Sequence, residues 1–250
     1  MNIKLIWVIA LTISLFSCMP QYRITEMKGE IIEIDSTFDS NPNSALQKLV
    51  LSYKTQLDNE MNIPIGISVN LMEYKRPESL LTNLTSDVMK EYGDEHLPDG
   101  ADIGVMNVHG HRATMPKGAV TIGNLFEIYS FDNAITFIEL KGSDLKKMFD
   151  AYARIGGAGI SSNVKLIIED KKVKNVTIDN KPIDNNKIYK IVTLDYLAEG
   201  NDNMSAFLNA ISISNTGVTL RDIMIDWVKE QTRMGKEIDS AVDGRIIIIE

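Results

Sequence analysis

Side chains able to do covalent or metal chemistry are sparse in this 250-residue chain. His109 and His111 lie two apart, His96 is the only other histidine, and Cys18 is the only cysteine. Two-metal phosphoester hydrolysis needs a cluster of His, Asp and Asn ligands that polarise the phosphate and activate water. No Asp-x-His or Gly-Asn-His-Glu run precedes the histidine pair, so no metal site is expected in this chain. There is no Gly-x-Ser-x-Gly and no P-loop. Gly156-Gly157-Ala158-Gly159 lies between a helical pattern and a strand pattern, the reverse of the order a dinucleotide fingerprint needs, and reads as a helix stop. Adjacent acids such as Asp94-Glu95 read as a solvated face. No catalytic residue is assigned, and binding chemistry remains. The formal net charge of −8 argues against a nucleic-acid polymer, whose phosphates need a basic footprint. A small anion needs only a few local arginines, whose planar forks make bidentate charge-assisted hydrogen bonds.

The first residues bear on the compartment. Lys4, an apolar run over residues 5–16 and then Ser17-Cys18 read as an export signal, since the run is short for a membrane span. Leu15-Phe16-Ser17-Cys18 resembles the lipobox of bacterial lipoproteins, in which the cysteine becomes the lipidated first residue. A cysteine with no disulfide partner suits that role; the alternative is a plain signal with an incidental cysteine. The expectation is a signal peptide over residues 1–17 and an exported chain, lipid-anchored through Cys18 to the cell envelope on its periplasmic or outer face.

The elements that must position any binding group alternate in kind, with 44% hydrophobic and 24% charged residues, as in a globular α+β protein with mixed sheets and packed helices. Residues 18–62 form an N-terminal extension with one strand, over 22–34, and one helix capped by Ser44 and carrying Leu46, Leu49, Val50, Tyr53 and Leu57. Residues 63–250 form the main domain. Strands are expected over 63–72, 101–107, 134–140, 164–169, 173–178 and 188–194, the last three separated by hairpin punctuation. Helices are expected over 78–92, from Thr121, from Ser143 to the Gly156-Gly157 stop, and from Thr219. Residues 246–249 read as a strand fully inside a sheet.

Along this frame run several ordered segments. Arg76-Pro77-Glu78-Ser79 leads into Asn83-Leu84-Thr85-Ser86-Asp87. Ala101-Asp102-Ile103 leads into Asn107-Val108-His109-Gly110-His111-Arg112. Then come Gly118-Ala119-Val120-Thr121-Ile122-Gly123-Asn124-Leu125, Ser130-Phe131-Asp132-Asn133, Glu139-Leu140-Lys141-Gly142 and Tyr196-Leu197-Ala198-Glu199-Gly200-Asn201-Asp202. Each is weak alone; in this order they resemble the substrate-binding C-terminal domain of 5′-nucleotidases.

The resemblance implies a nucleoside or nucleotide ligand. Phe131 and Tyr196 stand at the positions of the family's stacking pair, which sandwiches a base, with core aromatics as the alternative for each ring. Asp202 matches the carboxylate for the sugar hydroxyls and Asn133 the amide for the base edge, both of them residue types that also serve ordinary turns. Asn107, Arg112 and Arg76 match groups that hold phosphate or ribose oxygens, a solvated surface arginine being the alternative for Arg76. Val108, His109 and Asn201 replace glycines of the pattern, the last being tolerable if Asn201 adopts the left-handed region, which Asn enters more readily than most. Asn163 stands where the family has a residue facing the base. The segment before Arg76 cannot house a metallophosphoesterase domain. Divalent metals are therefore expected only in a separate partner chain, with this chain inactive alone as the recognition half. The alternatives are a non-catalytic nucleoside- or nucleotide-binding lipoprotein and a relict scaffold.

Overall fold

The computed structural model describes residues 23–33, 35–37 and 43–249. The signal segment and Cys18 lie outside them. The chain divides after Val50. In the first part residues 23–33 are irregular: the strand expected over 22–34 is not formed in its described portion, where Ile24, Ile31 and Ile32 are exposed. Helix α1 (Ser44–Met61) crosses the division. Its cap is Asn43, not Ser44: the Asn43 carboxamide oxygen accepts the N–H groups of Ala45 and Leu46, each at 3.1 Å. The apolar residues of α1 at 46, 49, 50, 53 and 57 are all more than half exposed.

The second part is built on a five-stranded sheet of order β10-β4-β9-β2-β5. Its strands are β2 (Ile103–Met106), β4 (Ala134–Lys141), β5 (Gly159–Ile160), β9 (Ile188–Leu194) and β10 (Ser212–Thr219). β9 and β2 run parallel and the other neighbours antiparallel. Helix α2 (Leu80–His96) lies across β2, β5 and β9. It starts on a capping box between Ser79 and Thr82. Glycines set how closely it packs: a Cβ at Gly104 of β2 would stand 2.4 Å from the Ser86 carbonyl, and one at Gly93 of α2 would stand 2.3 Å from Val192.

A four-stranded sheet has the order β11-β6-β7-β8, from β6 (Val164–Glu169), β7 (Lys172–Ile178), β8 (Lys181–Pro182) and β11 (Ile246–Ile249). Both of its hairpin turns place two consecutive residues at positive φ, Asp170-Lys171 and Asp179-Asn180, as two-residue turns matched to strand twist require. Helix α4 (Gly142–Arg154) packs between the two sheets. A two-stranded ribbon of β1 (Pro64–Ser68) and β3 (Gly118–Thr121) is covered by α6 (Leu220–Arg233), and the short α3 (Ile122–Ile128) follows β3. Thr121 and Thr219 cap α3 and α6 as expected.

Three expectations are corrected. The strand over 63–72 stops at Ser68, and Met72 makes only an isolated bridge to Met115. Ser143 is already helical; α4 begins at Gly142 with Lys141 at the cap and no side-chain cap bond. β11 is an edge strand, parallel to β6 alone, and leaves Ile247 and Ile248 half exposed. The residues just before β11 are instead the buried ones. Arg245 is 2% exposed; its guanidinium reaches both Asp87 oxygens at 3.0 Å, both Asp243 oxygens at 3.0–3.1 Å and the Ile160 carbonyl at 2.8 Å. Burial pushes Asp243 up, but the Arg245 hydrogen bonds outweigh it and hold the carboxyl below its ordinary value. Next to this cluster the buried Glu78 accepts from Asn83 Nδ2 and from the backbone N–H groups of Asp243 and Ile246. The Glu78 to Asp87 segment thus serves to fasten the C-terminal strand.

Candidate functional site

One end of the five-stranded sheet gathers loops from three neighbouring strands. β2 ends at Met106 and delivers Asn107. The parallel β9 ends at Leu194 and delivers the helical turn α5 (Asp195–Ala198) with Tyr196, then Asp202. The antiparallel β4 starts at the same end, Ile135 facing Leu194, so the residues before it, Phe131 and Asn133, arrive there too. The result is a cleft of about 310 Å³ lined by Asn107, His109, Gly110, Arg112, Phe131, Asn133, Tyr196 and Asp202. It adjoins a hollow of about 140 Å³ that shares Asn107, His109 and Asp202 and adds Arg76, Tyr152 and Met204. All seven residues expected from the sequence therefore meet in one continuous depression, sized at the small end for an organic ligand.

The two rings are not core aromatics. Phe131 is 48% exposed and Tyr196 39%. The Arg112 guanidinium sits 5.6 Å from the Phe131 ring centre, within cation–π range. Asp202 stands at φ 52° and accepts from Asn107 Nδ2 at 2.6 Å and from the Tyr196 hydroxyl at 3.1 Å. That hydrogen bond and the Asp202 charge hold the Tyr196 phenol above its ordinary pKa. Each carboxylate oxygen keeps a lone pair for a further donor, such as a sugar hydroxyl. Arg76 Nη1 donates to His109 Nε2 at 3.2 Å. Two buried atoms of the hollow, Arg76 Nε and Asn107 Oδ1, have no hydrogen-bond partner among the described residues. Tyr152 closes its floor, donating to the Met106 carbonyl at 3.2 Å; burial pushes this phenol up.

The replaced glycines are accommodated in different ways. Val108 and His109 belong to a 3-10 turn, Val108–Gly110, with Val108 in the core and His109 exposed. Gly110 keeps its necessity, since a Cβ there would stand 2.6 Å from Asn107 Oδ1. Asn201 is not left-handed; Asp202 and Asn203 are. The Asn201 amide instead ties back to the Tyr196 carbonyl at 2.9 Å. Asn163 does not line the cleft: its side chain bonds Asp102 O, Asp179 Oδ1 and Ser161 Oγ within the framework. His109 and Tyr152 are site residues that the sequence did not reveal. His109 stood out there as a metal ligand to be weighed and as a replacement for a glycine of the pattern, and Tyr152 only as part of a helical stripe.

Among the described residues no three His, Cys, Asp or Glu side chains gather to hold a metal ion, and both ring nitrogens of the buried His111 are engaged. Nδ1–H donates to the Val108 carbonyl at 3.1 Å, and Nε2 faces the Thr85 hydroxyl at 2.9 Å, whose single proton is shared with the Leu81 carbonyl at 2.8 Å. The Tyr129 hydroxyl adjoins Thr85 at 2.7 Å, and the Tyr74 ring stacks on the imidazole. Burial pushes His111 down to about 4, so it is neutral when folded and takes up a proton near pH 6.5 when unfolded. The unfolded chain binds more protons between those values, and stability must fall as pH drops from about 6.5 to about 4. The loss amounts to roughly 3 kcal/mol. Urea melts across that window check this, with His111→Gln expected to remove that part of the pH slope.

Residues 57–209 match the family model for the 5′-nucleotidase C-terminal domain. Among curated proteins, the chain is 24% identical over 216 residues to the protein UshA of Yersinia enterocolitica, covering 84% of this chain and 39% of that protein. It is 26% identical over 263 residues to a 5′-nucleotidase of Diplobatis ommata, covering 91% and 45% respectively. The chain thus spans less than half the length of these relatives. A solved 5′-nucleotidase precursor from Thermus thermophilus shares the fold, with a TM-score of 0.71 at 22% identity over 85% of this chain and 45% of that one. The matched residues include each of the site side chains, and the chain belongs to the 5′-nucleotidase C-terminal domain family.

Proposed function

We propose that this chain is the nucleotide-recognition half of a 5′-nucleotidase-type phosphohydrolase, working in extracytoplasmic nucleotide breakdown. A separate metallophosphoesterase chain supplies the divalent metals and the attacking water. In this reading residues 63–250 are the recognition domain, residues 18–62 its extension, and Cys18 the lipid tether. The main support is the meeting of two exposed rings, Phe131 and Tyr196, with Asp202, Asn133 and Arg112 around one cleft. Rings present flat faces to a base, an ionised carboxylate suits a vicinal diol, and arginine suits phosphate. Substrate positioning and metal activation are separable contributions to rate, which makes a division between chains workable. Nucleotide hydrolysis is expected only when the partner is present.

One observation favours a second reading. Arg76 is engaged by His109, whose side chain enters where the family pattern has glycine. That arrangement suits a non-catalytic nucleoside-binding lipoprotein, with no phosphate to claim Arg76. Titrating the purified protein with adenosine and with AMP by calorimetry, without added metal, tests both. Saturable binding with AMP the tighter supports the recognition half; preference for adenosine supports the second reading. Binding of neither, with or without a metallophosphoesterase chain, overturns both.

A further inference from the structure

The loop that carries Phe131 and Asn133 is fastened from behind by α6. Arg221 Nη1 donates to the Tyr129 carbonyl at 3.0 Å, and Nη2 forms a short ion pair with Asp132. The guanidinium carbon lies 4.2 Å from the centre of the Phe126 ring. The next-door backbone contributes too, Leu220 N–H donating to the Asn133 carbonyl at 3.0 Å. The Arg221 side chain is 12% exposed and that of Asp132 79%. A nearly buried arginine thus reaches outward to an exposed carboxylate, and its contacts bracket Phe131 on both sides in sequence. The carboxylate of this pair is open to solvent, which screens it, so the ion pair itself contributes little to overall stability. What it does restrict is the backbone on either side of a half-exposed ring.

We propose that Arg221 is a positioning residue for the candidate cleft, a clasp that holds the 129–133 loop so that Phe131 presents its face before ligand arrives. The proposal rests on reading Phe131 as a stacking ring. Arg221 touches no ligand; it acts through the loop, reducing the ordering that binding would otherwise have to impose. A planar fork that engages a carbonyl and a carboxylate at once is a task lysine cannot perform. Immobilising one such side chain on binding is worth roughly a 2- to 10-fold change in affinity.

The test reads loop order and binding separately. In full-length protein labelled with fluorotryptophan, Phe131→Trp adds one ¹⁹F resonance at the tip of the loop. With Arg221 and Asp132 intact this resonance is expected to be displaced from the position of free tryptophan. Asp132→Ala, a change at an exposed site that leaves the core alone, should move it toward that position and narrow it. Arg221→Lys should do the same, and Asp132→Glu should restore the displaced line. In the background with Phe131 retained, Asp132→Ala should weaken adenosine binding roughly 2- to 10-fold at unchanged melting temperature. An unmoved resonance in both Asp132→Ala and Arg221→Lys overturns the clasp. Failure of the unaltered protein to bind adenosine would count against the nucleoside reading instead, and the resonance would still decide whether Arg221 orders the loop.

Discussion

Replacing Phe131 and Tyr196 together by alanine is expected to lower adenosine affinity by roughly 30-fold to more than 10⁴-fold, since each stacked ring is worth about 1–3 kcal/mol and the proposed reading sets the two on opposite faces of one base. The rings come from different strands of the sheet, before β4 and after β9, so neither substitution shifts the other's backbone. Both are substantially exposed, and removing them opens no core cavity; urea midpoints should stay within the small range of surface changes. Tyr196→Phe separates two roles. It keeps the stacking face and removes only the hydrogen bond to Asp202, so its effect should be far smaller than that of Tyr196→Ala. Calorimetry on the double variant decides the matter: undiminished affinity would sink the assignment of the cleft.

The second large effect lies at Arg245, which lines neither the cleft nor the hollow. Arg245→Ala should destabilise the domain by about 3–5 kcal/mol, because it leaves Asp87 without its cation and Asp243 with only the more distant Lys165, beside a buried hole. Both carboxylates now share one guanidinium that is 3% exposed at the side chain, and no other cation is hydrogen-bonded to Asp87 among the described residues. Removing the charges as well should recover much of the loss. Arg245→Met combined with Asp87→Asn and Asp243→Asn is expected to be more stable than Arg245→Ala alone, as buried ion pairs often tolerate replacement by packed neutral groups. Urea unfolding followed by circular dichroism measures both. A fall below about 1 kcal/mol for Arg245→Ala would show that the cluster holds nothing together.

How much of this was legible beforehand depends on whether the information is local. Strands β6 and β9 have the bounds expected of them, since alternating or continuous apolar residues between turn residues carry their own signature. The cleft was legible through short motifs, each at the end of a strand, and the three strand ends meet because β4, β9 and β2 are neighbours. β10 was not anticipated. Its sequence is mostly small and polar, it is exposed along most of its length, and it is a strand only because β4 offers a ladder to pair with. β11 misled in the opposite direction: four consecutive isoleucines suggest burial on both faces, yet at an edge only Ile246 is enclosed. The left-handed residues of this turn are Asp202 and Asn203 rather than Asn201, whose side chain ties back to the Tyr196 carbonyl. Arg221 and Arg245 were invisible as fasteners, the elements they tie down lying about 90 residues away at Tyr129 and Asp132 and 158 residues away at Asp87.

That last separation bears on how the protein is made. The Asp87 carboxylate on α2 leaves the ribosome 158 residues ahead of the arginine that neutralises it. At synthesis rates of about 5–20 residues per second, α2 waits roughly 8–30 s with its polar anchor points unmet. β6 likewise waits for its parallel partner β11. During that interval the nascent chain exposes an unpaired strand flank and a helix not yet tied down, a state open to aggregation and suited to being held extended by a chaperone. The closing contacts form only with β11, so the nascent chain stays loose until nearly all of the described domain has been made.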